Sequence, residues 1–122
     1  MANPNIISAT SLTGNSKVVN LTTTNSTTIV TNASSSNKVY RVTCIRATNY
    51  DGTNAADISI SIYDASESAT GYLASTINVV ADSTFNVIDK TETVYLEEGD
   101  YINAQSSAAN DITIYCSYEV IG

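Results

Sequence analysis

The sequence predicts an all-β protein, an antiparallel β-sandwich or jelly roll of about eight to ten short strands, and three observations carry that prediction. Apolar and polar residues alternate with a period of two, as in Asp57-Ile58-Ser59-Ile60-Ser61-Ile62-Tyr63, the pattern of a strand with one buried face. Charged residues make up 14% of the chain, against about 25% in an ordinary soluble domain. The polar surface comes instead from 33 Ser plus Thr and 13 Asn, whereas surface helices draw on Lys, Glu and Arg. Turn chemistry recurs at short intervals, at Gly14, Asn25, Asp51-Gly52, Asp82 and Gly99. At 122 residues one core is expected, with no room for a large enzyme.

The amino-terminal third, residues 1–37, is dense in Ser, Thr and Asn and carries one charge, Lys17. Residues 6–12, 18–22 and 27–31 are short strand candidates, separated by Thr13-Gly14-Asn15-Ser16 and Thr24-Asn25-Ser26. Termini order only when docked, so the chain divides into an extended arm, residues 1–16, and a single sandwich domain, residues 17–122. Residues 38–48 form a long strand that ends at Asn49-Tyr50-Asp51-Gly52, where Asp-Gly suits a tight turn. Strict alternation puts Arg41 and Arg46 on opposite faces of it.

Ile58, Ile60 and Ile62 line the core face of the next strand. Residues 64–69 are too short and too Ser-rich for a helix and read as a loop. Residues 72–81 group Leu73, Ile77 and Val79; Ala81-Asp82-Ser83 reads as a hairpin turn, after which Phe85 and Val87 continue the alternation. Residues 94–96, Glu97-Glu98-Gly99-Asp100 and residues 101–105 make a strand, turn, strand unit. In the last strand Ile112, Ile114, Cys116, Tyr118 and Val120 fall on one side, with Thr113, Tyr115, Ser117, Glu119 and Ile121 on the other.

Catalytic chemistry is hard to build here. With no histidine, Ser-His-Asp and Cys-His catalysis and His-based zinc sites are removed. The five glycines are isolated, so no phosphate loop exists. Cys44 and Cys116 are separated by 71 intervening residues without a CxxC partner, a poor match to structural zinc. They read as two buried free thiols, with a bridge between neighbouring strands open if the sulfurs face each other. Glu92, Glu97, Glu98 and Asp100 offer oxygen ligands, yet the alternating spacing of a calcium loop is missing, and acids solvating a tight turn explain them. The N-x-S/T triplets at Asn20, Asn25 and Asn32 arise by chance in such a segment. No catalytic, cofactor-binding or metal-binding residue is assigned, and a non-enzymatic protein is expected.

A net charge of -7 repels polyanions, so nucleic acid is not an expected partner. No apolar run reaches the roughly 20 residues of a membrane span, and the first residues lack a signal peptide's basic and apolar regions; a soluble protein made in a cytoplasm is expected. Tyr63 and Tyr115 share faces with polar residues, and Tyr is enriched at protein interfaces. With Ile6, Ile7 and Leu12 of the arm, they are the interface candidates.

Several segments carry a resemblance: Thr-Thr-Ile-Val-Thr-Asn-Ala at 27–33, Lys-Val-Tyr-Arg-Val from Lys38, the long strand into Asp51-Gly52, Ile-Ser-Ile-Ser-Ile-Tyr-Asp, Val-Ile-Asp-Lys at 87–90, and Val-Tyr-Leu-Glu-Glu-Gly-Asp-Tyr-Ile at 94–102. From about residue 17 to the end the chain resembles small virion structural proteins of tailed bacteriophages, especially those of marine cyanobacteria. The resemblance implies a capsid decoration or cement protein on the outside of the phage head, made in the host bacterial cytoplasm. It would bind the major capsid protein and form a homo-oligomer, for example a trimer, with no cofactor. A tail, neck or fibre component that binds another virion protein or a host glycan is the alternative.

Overall fold

The computed structural model describes residues 5–122. A 3-10 turn, Ile6–Ser8, precedes nine strands: β1 (Leu12–Asn20), β2 (Thr27–Thr31), β3 (Val39–Asn49), β4 (Ala56–Asp64), β5 (Ala69–Val79), β6 (Ser83–Ile88), β7 (Val94–Leu96), β8 (Tyr101–Ser106) and β9 (Ile112–Ile121). The first sheet runs β1-β9-β3-β6, with β7 paired to β3 beyond β6; the second runs β2-β8-β4-β5, and every pairing is antiparallel. Since β6 and β7 together make one broken strand along β3, each layer is four strands wide, the plan of a jelly roll.

The core lies between the sheets. Val42, Ile45, Ala47, Ile112, Ile114 and Cys116 face Ile29, Val30, Ile58, Ile60, Ile102 and Ala104, each large aliphatic chain worth roughly 1.5–3 kcal/mol when fully buried. Leu21 closes the corner after β1. It is fully buried, its N–H donates to Ile112 O (2.9 Å), and its carbonyl accepts from Asn110 N (2.9 Å).

Among the described residues, β4 and β5 are the one pair of consecutive strands bonded to each other, their turn falling at residues 65–68 where a loop is expected. Ala81-Asp82-Ser83 is therefore no hairpin: β5 ends in the second sheet and β6 begins in the first. The turns at Asp51-Gly52 and residues 97–100 likewise carry the chain between layers. Asp82 (57°) and Gly99 (90°) adopt the positive φ that several tight hairpin turns also use, so turn chemistry alone does not say which strand comes next door.

β2 is bulged between Thr28 and Val30, so that Ile29 and Val30 are both buried, and bulges in β3 and β5 move side chains off strict alternation. The register of β3 against β9 shifts between Val42 and Cys44, and one extra residue flips every side chain beyond it. Arg41 and Arg46 thus share the outer face instead of opposing ones, and Cys44 turns outward, half-exposed rather than buried. In β5 two shifts, with Thr76 at φ 51°, bring Ala74 inward beside Ile77 and Val79 and leave Leu73 outside.

Thr13-Gly14-Asn15-Ser16 is not a turn but the middle of β1, which pairs with β9 in unbroken register from Leu12↔Ile121 to Asn20↔Thr113. The backbone bonds offered by β9 outweigh the turn propensity of these residues. β1 also crosses the boundary drawn between residues 16 and 17. Residues 1–4 of the expected arm lie outside the described residues. Those that follow form the 3-10 turn, capped by Asn5 Oδ1 accepting from Ile7 N (3.0 Å). They are then tied down where Gly122 N donates to Ser11 O (3.1 Å) and Ser11 Oγ donates to Gly122 O (2.9 Å).

Candidate interaction surfaces

Cross-strand register lays the outer face of the first sheet out in rows. Leu12, Ile121 and Val39 form one; Gly14, Glu119, Arg41 and Tyr95 the next; Ser16, Ser117 and Cys44 a third; Val18, Tyr115, Arg46 and Asn86 a fourth. Arg41 Nε donates to Glu119 (2.5 Å), and its terminal nitrogen completes the ion pair, which holds the guanidinium pKa above its usual value. Arg46 lies over the ring of Tyr115, 5.6 Å from the centroid, within cation-π range.

The edge of this face is β1. Among the described residues β9 is its one strand partner, and apart from Val19 and Leu21 just beyond it the strand is exposed on both sides. Leu12 is 59% and Val18 64% exposed. An open strand of nine residues presents a row of backbone N–H and C=O groups ready to pair with another chain.

The expected interface residues divide into separate places. Ile6 and Leu12 line one shallow depression of about 310 Å³ with Arg41 and Ile121; Ile7, close by in the 3-10 turn, is 96% exposed. Tyr115 sits on the first sheet under Arg46. Tyr63 belongs to the second sheet, stacked on Tyr101 with ring centroids 5.0 Å apart. The two tyrosines therefore occupy different layers, each with an intramolecular partner.

The acidic turn differs from expectation. Glu98 and Asp100 are buried, not solvated: Asp100 Oδ1 accepts from Ala65 N (2.8 Å) and Oδ2 from Glu97 N (2.9 Å), while Glu98 Oε2 accepts from Asn37 N (2.5 Å). Asp64, Glu97 and Asp100 do bring carboxylate oxygens within 4.8 Å of one another, but Asp100 uses both oxygens, and Asp64 one, to hold turns. At the other end of β3, Asp51 accepts from Thr53 N (2.7 Å) and Asn54 N (3.1 Å), which lowers its pKa. Asp111 is raised by desolvation and then by the Asp51 charge.

Both cysteines are free. Cys116 points into the core, where burial pushes its pKa up to about 12; Cys44, on the outer face, cannot meet it without breaking the sheet. Two buried asparagines were not singled out from sequence as structural residues. Asn32 Nδ2 donates to Lys38 O and Leu96 O (2.9 Å each), and Asn49 Nδ2 to Asn54 O and Val79 O (2.9 Å each). Asn32, fully buried, is thereby closed to glycosylation.

No protein-family model matches the chain, and no curated protein matches it. Among solved structures it is similar to a protein of Bacillus endospore appendages, described as a novel family of disulfide-linked pili. The identity is 14% and the TM-score 0.52, over 99% of this chain and 96% of that one. The likeness is one of fold.

Proposed function

We propose that this chain is a non-enzymatic structural subunit that works by binding other protein copies, and that it decorates the outer surface of a phage head. The observation that carries this reading is the open β1 edge, with Leu12 and Val18 exposed upon it. Strand addition at such an edge supplies affinity through main-chain hydrogen bonds and side-chain pockets. Repetition on a symmetric shell would multiply modest single contacts into firm attachment. The resemblance to small virion proteins of tailed phages supplies the partner, the major capsid protein.

The test is occupancy on purified particles. Leu12→Lys and Val18→Lys place charges on the edge, a device that blocks strand pairing. Because both positions are exposed, circular dichroism should stay unchanged while the protein is lost from the shell. Wild-type occupancy of both variants would overturn the reading. A second reading, a tail, neck or fibre subunit, draws support from the fold likeness to a pilus protein. Copy number separates the two: hundreds per particle for a shell protein, about a dozen or fewer for a tail or neck.

A further inference from the structure

The outer face of the second sheet holds a different kind of surface. Asp57, Ser59 and Ser61 of β4 lie beside Gln105 and Asn103 of β8, paired Ser59↔Gln105 and Ser61↔Asn103. Tyr72 of β5, opposite Ser61, is 67% exposed. Two adjoining depressions, of about 320 and 260 Å³, share Ser59, Tyr72 and Gln105 in their linings and make one shallow groove.

Four polar side chains in the groove, Asn103, Gln105, Asp57 and Ser59, are each held by a hydrogen bond that leaves a second function free. Thr28 Oγ1 donates to Asn103 Oδ1 (2.8 Å), leaving the Asn103 NH2 as a donor. Gln105 Nε2 donates to Thr24 O (3.0 Å), leaving Oε1 as an acceptor. Asn78 Nδ2 donates to Asp57 Oδ1 (3.0 Å), leaving Oδ2. Thr76 N donates to Ser59 Oγ (2.9 Å), leaving the hydroxyl proton. Donors and acceptors are thus fixed in place on rigid strands, about 6.6 Å apart along each strand, where alternate residues share a face, and about 4.8 Å across.

The chemistry selects among ligands. No Lys or Arg lines the groove, and the net charge of -7 disfavours anions. The floor strands β4 and β8 are each paired on both sides, so a peptide cannot add to them as a strand. A lipid would need an apolar cup, whereas this lining is hydroxyl, amide and carboxylate with one aromatic ring. Dense alternating donors and acceptors beside an exposed ring suit a flat, uncharged molecule with many hydroxyls and one C–H face. We propose that this groove is a binding site for a neutral saccharide chain, with Tyr72 stacking on a sugar ring and Asn103, Gln105, Asp57 and Ser59 bonding its hydroxyls. The site is separate from the β1 edge.

Nuclear magnetic resonance titration with maltohexaose, cellohexaose and chitohexaose tests it. At least one sugar should shift the side-chain amide signals of Asn103 and Gln105 saturably, with a Kd of about 1 mM. Tyr72→Ala should weaken that binding about tenfold, and Tyr72→Phe, which keeps the ring, should restore it. The Val18→Lys variant should bind the sugar as wild type does, which keeps this outcome independent of the edge. Absence of shifts at about 10 mM of all three sugars, shifts confined to other surfaces, or binding unchanged in Tyr72→Ala would overturn the proposal.

Discussion

β1 and β9 run side by side over their whole paired length, yet one is the middle of the molecule and the other its margin. β9 is bonded on both sides, to β1 and β3, and buries Ile112, Ile114 and Cys116 completely. β1 is bonded on one side, and its inward row, Thr13, Asn15 and Lys17, stays exposed until Val19 reaches the core. The difference teaches that a strand's side of a sheet does not bury it. Burial needs an opposite layer above it, and the second sheet ends before it covers most of β1.

The largest test of that contrast is truncation. Ile114→Ala should cost about 2–5 kcal/mol in denaturant unfolding, and Val18→Ala no more than about 0.5 kcal/mol; similar losses at both sites would erase the distinction. Next comes Asn49→Ala. It leaves the carbonyls of Asn54 and Val79 without their side-chain donor, a loss of about 1–3 kcal/mol, while Asn15→Ala on β1 should be nearly silent.

The thiols sharpen the comparison further. A thiol reagent at mildly alkaline pH should modify Cys44 in the folded protein, with Cys116 reacting at the rate of unfolding. Because the Cys116 pKa stands raised to about 12 from 9.0, the unfolded chain ionises first. Stability should therefore be intact below about pH 9 and fall as pH rises towards 12, and Cys116→Ala should flatten that slope. A small loss is also expected from Arg41→Ala. Its ion pair is about one-third exposed on the arginine side and should contribute about 0–1 kcal/mol, less at high salt.

Much of the layer structure was legible in the sequence, since alternation around Ile58 and Ile114 follows from one buried face per strand. What escaped was anything decided by a single inserted residue. The bulge before Cys44 has no composition signal, yet it places two arginines together and exposes a thiol. Partner choice was equally hidden: Asp51-Gly52 and Asp82 mark reversals, and the same turn residues serve a reversal between layers and a hairpin. Asn32 and Asn49 vanish among 13 asparagines, although each stands at the end of a strand, where an amide can reach loose carbonyls. The groove beside Tyr72 was invisible because it needs β8 laid alongside the β4–β5 pair from a later part of the chain.

The pairing of the first strand with the last has a consequence for synthesis. Until β9 has been synthesised, β1 and β3 lack the strand that belongs between them, and their backbone groups are bonded to water or to something else. A chain of this topology closes late. The nascent protein passes through a stage in which the edges of β1 and β3 are open in the crowded cell before β9 arrives to fill the gap.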